Sequence, residues 1–99
     1  MRAAVEISMY PLVGDYRPPI QDFIDRLNTH SGLTVQTNAL STQLWGPLDR
    51  VMAVLAEEIT RSAGIAGAPQ LVFVMKVLPG LSPPDPVQPA AAPRSSALR

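Results

Sequence analysis

An α+β fold, with elements in the order strand, helix, strand, strand, helix, strand, is predicted by three observations. The stretches "AAVEISMYPL" and "LSTQLW" alternate between two sets of side chains, as strands with two unlike faces do. Two other stretches carry apolar residues three and four positions apart, the stripe of an amphipathic helix. The run "PQLVFVMKVLP" is short, rich in β-branched and aromatic residues, and bounded by prolines, as a strand would be.

Each element has its own signal. In the first strand Val5, Ile7 and Met9 fall on one side and Glu6, Ser8 and Tyr10 on the other, until Pro11 and "VGD" stop it. Asp15 or Pro18 then opens a helix, proline being welcome in a first turn where its missing N–H is not needed. Ile20, Phe23, Ile24 and Leu27 form its stripe, and Gly32 is placed to end it as a left-handed cap. "LTVQTN" reads as the second strand, with Thr37-Asn38-Ala39 as a tight reversal into the third. Gly46-Pro47 closes that strand and starts a second helix striped by Leu48, Val51, Met52, Leu55 and Ile59, which Gly64 and Gly67 break.

The order βαββαβ is the ferredoxin-like plan: a four-stranded antiparallel sheet with two helices on one face. Strands one and three lie side by side in its middle, so Val5, Ile7, Met9, Leu40, Thr42 and Leu44 are expected beneath the helices. The opposite face then presents Glu6, Ser8, Tyr10, Ser41, Gln43 and Trp45. The domain is expected to span residues 1–78. Residues 79–99 hold six of the eleven prolines and little that packs, the composition of a disordered tail.

Composition narrows the function. With 99 residues and 46% hydrophobic side chains, one small domain is available, of a size often stabilised by oligomerisation. Eight basic residues balance eight acidic ones without runs of either sign, which argues against a nucleic-acid partner. The absence of cysteine excludes thiolate metal sites and cysteine nucleophiles, and a single histidine, His30, leaves little for an imidazole site. No metal or cofactor is expected. No apolar run is long enough to span a bilayer and no signal segment opens the chain, so no membrane insertion and a cytoplasmic location are expected.

The bare sheet face is unusual for a merely wet one. It carries the only tryptophan, a tyrosine, a central carboxylate and a last strand that is apolar on both sides. An edge strand of that kind invites association unless covered, so the face reads as an oligomer surface. Beneath a second protomer, Glu6, Ser8, Gln43 and Trp45 would form a pocket of few polar groups with an aromatic wall, suited to a small flat ring bearing an amine.

The pieces "EISMYPL", "GDY" and "LSTQLWG" resemble the YkoF-like family of thiamine/hydroxymethylpyrimidine-binding domains over about residues 4 to 78. That family's pattern is a strand ending in Tyr-Pro and an S-T-x-L-x-G strand leading into a helix. The resemblance implies the same βαββαβ order, binding of thiamine or its pyrimidine precursor in uptake or salvage, and no catalysis. Some relatives carry two such units in tandem, so a single unit implies a homodimer or tetramer. Position by position, Tyr10, Asp15, Ser41 and Thr42 match the pattern, while Glu6, Gln43 and Trp45 stand where its branches differ.

Each candidate also has a plainer role. Glu6 would pair with Lys76 on the neighbouring strand, Tyr10 would only pack, and Asp15 would cap the first helix. Ser41 and Thr42 point to opposite faces, so both line one pocket only if the strand bulges; Thr42 otherwise faces the helices with its hydroxyl bonded to backbone. Trp45 serves equally as interface anchor or ring-stacking wall, His30 as a cation at a helix end, and Asn38 as a turn residue. Catalysis finds no nucleophile with a base at readable spacing. An acylphosphatase would need an arginine in a glycine-rich loop where this chain has "VGDYR", with Arg17 its one reminder. RNA binding through such a sheet lacks the basic surround, and Glu6 would repel phosphate. The remaining rival is a ligand-sensing or structural oligomerisation module, similar to ACT-like domains that bind amino acids at their interfaces.

Overall fold

A computed structural model describes residues 1–65 and 69–80. The elements are β1 (Arg2–Pro11), α1 (Arg17–Leu27), β2 (Thr34–Thr37), β3 (Thr42–Pro47), α2 (Leu48–Gly64) and β4 (Leu71–Pro79). The four strands form one antiparallel sheet in the order β2-β3-β1-β4, the ferredoxin-like arrangement.

The core lies where the alternation requires it. Val5, Ile7, Met9 and Leu44 meet Phe23 and Leu27 of α1 and Val51, Val54 and Leu55 of α2, all buried. Phe23 also reaches Phe73 of β4, with ring centres 5.2 Å apart and planes tilted by 55°. A fully buried side chain of this size contributes about 1.5–3 kcal/mol, so two stripes on one sheet face suffice to fix the layers.

Backbone pairing alternates along β1. Leu48 N–H donates to Met1 C=O at 2.8 Å on the β3 side, and Gly80 N–H donates to Arg2 C=O at 2.6 Å on the β4 side. At the far end Leu12 N–H donates to Gln70 C=O at 2.9 Å. Odd residues of β1 therefore bond to β3 and even ones to β4. Pro11, an odd residue, lies beyond the last β1–β3 pair, Ile7 with Thr42, and so removes no ladder donor.

Four expectations need correcting. Leu40 does not lie under the helices: it is 85% exposed. The Asn38 carboxamide oxygen accepts the N–H groups of Leu40 and Ser41 at 2.8 and 3.1 Å, which holds 38–41 as a turn and delays β3 to Thr42. Asp15 is not the cap of α1; Tyr16 holds that position without a side-chain bond, and proline in the first turn makes the start. Gly32 does have φ +82°, yet α1 has already ended at Asn28, whose side chain donates to Ile24 C=O at 2.9 Å. The glycine instead turns the chain into β2. His30 caps no helix through its ring, which faces Glu58 instead. β4 runs through Pro79; Gly67 and residues 81–99 lie outside the described residues. No helix among the described residues is long and apolar enough to cross a membrane.

Candidate functional site

On the open sheet face, Glu6 of central β1 stands opposite Gln43 of β3 and Lys76 of β4. Gln43 Nε2 donates to Ser41 Oγ at 2.7 Å, and Ser41 Oγ donates onward to Glu6 Oε2 at 2.9 Å. Lys76 Nζ lies 3.8 Å from Glu6 Oε1, an ion pair open to water, with the lysine side chain 75% exposed. The amide therefore sets the direction in which the serine hydroxyl points, and the serine holds the carboxylate. Such a relay keeps its geometry while leaving each group partly accessible.

Ser41 also reaches a second feature. A cleft of about 460 Å³ crosses the end of the sheet, between the start of α1 and the 38–41 turn. Tyr16, Ile20, Phe23 and Ile24 form its helical wall, and Ser8, Tyr10, Ser41 and Thr42 come from the strand ends. Ser8 Oγ donates to Leu40 C=O at 3.3 Å, and the hydroxyls of Thr37 and Thr42 lie 3.0 Å apart across β2 and β3. Tyr10 and Tyr16 are about half exposed at the rim, 53% and 52%. The lining is mainly apolar with a few hydroxyls, the character of a small-molecule site.

The sequence-derived candidates thus divide. Ser8, Tyr10, Ser41 and Thr42 line the cleft. Ser41 and Thr42 do so from opposite faces without a bulge, because the cleft lies across the end of the sheet. Glu6 and Gln43 stay on the sheet face and meet the cleft only through Ser41. Trp45 faces the same side from the other half of β3, beside Ala4 and Thr34, and is 8% exposed within a single chain. Asp15 is exposed and outside the cleft wall. Sequence reasoning missed Tyr16, Ile20, Phe23 and Ile24 as cleft residues, because a helical stripe carries no mark of where its core ends.

Gly46, which ends "LSTQLWG", has a packing reason. A Cβ there would stand 2.8 Å from Leu33 Cδ2 and 3.3 Å from the Gly32 carbonyl. A side chain there would have to displace the tip of Leu33 and press on the Gly32 carbonyl, so the close approach of β3 to the segment before β2 favours glycine.

A separate polar cluster joins the two helices. Glu58 is fully buried. Its Oε1 accepts from Arg26 at 2.7 Å and its Oε2 from His30 Nε2 at 2.6 Å. Arg26 also donates to Glu58 C=O at 3.0 Å, to Ser62 Oγ at 2.6 Å and to Asp22 Oδ2 at 3.0 Å. Burial pushes the Glu58 carboxyl up, but the bonds from His30 and Arg26, with the charges of Arg61 and Arg26, outweigh it and hold it below the ordinary value. His30, Glu57 and Glu58 bring ligand atoms within 4.8 Å of one another. Arg61 already pairs with Glu57 at 2.9 Å and Arg26 with Glu58, so guanidinium groups supply the positive charge that a metal ion would bring.

No family model matches the chain, and no curated protein sequence matches it. Solved structures do. A protein of Streptococcus pneumoniae superposes with a TM-score of 0.70 at 21% identity, covering 91% of this chain and 94% of its own. A candidate thiamine biosynthesis/salvage protein of Thermotoga maritima gives 0.68 at 19% identity, covering 79% and 83%. A domain of unknown function, DUF77, from Bacillus cereus gives 0.60 at 19% identity, covering 85% and 83%. At these identities the likeness is one of fold: the chain shares its βαββαβ architecture with these three proteins.

Proposed function

We propose that the chain is a binding protein rather than an enzyme, and that the cleft at the end of the sheet takes a flat, polar-edged small molecule, thiamine or its hydroxymethylpyrimidine moiety, in vitamin uptake or salvage. The observation that carries this reading is the cleft itself. Its volume of about 460 Å³ lies in the range of small-ligand sites, roughly 300–1,000 Å³. Aromatic and aliphatic side chains of α1 offer a wall for a ring, and the hydroxyls of Ser8, Ser41 and Thr42 both donate and accept, as an aminopyrimidine edge requires. Ser41 would be oriented for this by Gln43 and Glu6. The likeness in fold to the Thermotoga maritima protein supports the choice of ligand. As the sequence resemblance implies, the working unit is a homodimer or tetramer.

Calorimetric titration with thiamine, hydroxymethylpyrimidine and a panel of free amino acids tests the reading. The expected result is saturable micromolar binding of a pyrimidine compound, about −8 kcal/mol. At least tenfold weaker binding is expected in Tyr16→Ala, which alters only the cleft rim, and in Ser41→Ala. Heat from an amino acid alone would replace this reading with a sensor module.

A further inference from the structure

Among the described residues, the outer edge of β4 is open. Its even-numbered residues turn their amide groups to β1, as the bonds of Gly80 and Gln70 at its two ends require. The N–H and C=O groups of Leu71, Phe73, Met75 and Val77 therefore point away from the sheet, and no described strand pairs with them. Beyond Phe73 the strand is bare on both faces: Met75 and Val77 are 40% and 41% exposed on the helix side, Val74 and Leu78 52% and 45% on the other. The single charge along the edge is Lys76. Proteins that stay monomeric guard such an edge with charges, prolines or bulges.

We infer that the β4 edges of two copies pair antiparallel about a two-fold axis at Val74, joining two four-stranded sheets into one of eight. The occupant is a second copy because the edge is self-complementary: each outward residue offers both a donor and an acceptor, and an isologous contact uses the same residues twice. This register sets Leu71 against the partner's Val77 and Phe73 against the partner's Met75, so all four outward residues are used. It lays the half-buried end of one strand beside the bare end of the other. It also keeps the lysines apart, because Lys76 stands opposite the partner's Val72. With the axis moved to Met75, the two lysines become diagonal neighbours roughly 7–8 Å apart, and at Lys76 they stand directly opposed. The inference rests on the oligomeric part of the reading above and is independent of its ligand.

Light scattering and cysteine cross-linking on the full chain, without ligand, test it. The native chain is expected at twice or four times its 10.6 kDa mass. Met75→Pro removes one outward N–H and no bond to β1, a change edge strands tolerate; it is expected to fold with the native circular dichroism and to halve the mass. Because the chain lacks cysteine, Val74→Cys carries one thiol facing its own copy across a non-hydrogen-bonded pair. Such pairs hold Cα atoms about 4.5 Å apart, within disulfide reach. Mild oxidation should link Val74→Cys almost completely and leave Lys76→Cys unlinked. A single-chain mass for the native protein, a folded Met75→Pro of unchanged mass, or linkage of Lys76→Cys in preference to Val74→Cys overturns the inference. None of these readings involves thiamine, so failure here and failure of the titration are distinguishable.

Discussion

Glu58 and Glu6 are carboxylates with similar company and opposite situations. Each accepts from side-chain donors and faces a basic residue, yet Glu58 is sealed between two helices and the Glu6 side chain is 40% exposed on a sheet face. In the seam, Arg26 and His30 at 2.7 and 2.6 Å take the place of water, with the Arg61 guanidinium 3.7 Å away. On the face, Lys76 at 3.8 Å competes with solvent. Burial rather than the number of partners separates a charge that holds the fold together from one free to change partners. Only the second kind is available to a ligand or a neighbouring molecule.

That contrast can be broken by measurement. The largest effect is expected from Glu58→Ala, which leaves Arg26 deprived of its buried counter-charge and should cost about 3–5 kcal/mol in urea denaturation at neutral pH. A smaller, pH-specific effect distinguishes charge from packing. The Glu58 carboxyl is held below its unfolded value, so its stabilisation is complete above about pH 4.3 and is lost as pH falls through the lower folded value. Denaturation midpoints of the native chain should therefore drop between pH 5 and pH 3 more steeply than those of Glu58→Gln. The smallest effect belongs to Glu6→Gln, at most about 1 kcal/mol at pH 7. Equal losses from the two sites would erase the distinction.

The fold was legible because period and position agreed: Val5, Ile7 and Met9 alternate on a strand long enough to show it, and Pro18 marks a helix start. The failures are local contests. Leu40 continues the alternation of β3 on paper, but the Asn38 side chain captures the backbone of the two residues before Thr42 and makes a turn. Glu58 lies within the apolar stripe of α2 and reads as a solvent-side residue, because its partners Arg26 and His30 stand 32 and 28 positions away. The cleft is an arrangement of three chain segments, of which the sequence offered the strand residues and hid the helical wall. Asp15 had the chemistry of a helix cap, but the cap position falls one residue later, at Tyr16, and leaves the carboxylate exposed.

The pairing of β1 has a consequence for the order in which the protein can be made. Ala3 lies opposite Pro79, so β1, one of the two interior strands, is flanked on one side by β4, the last strand in chain order. On a ribosome adding about 5–20 residues per second, β1 waits on the order of several seconds for that neighbour. During the wait its even-numbered amides, from Arg2 to Tyr10, have no sheet partner. The arrival of β4 is therefore the step that gives these amides their partners and closes the sheet.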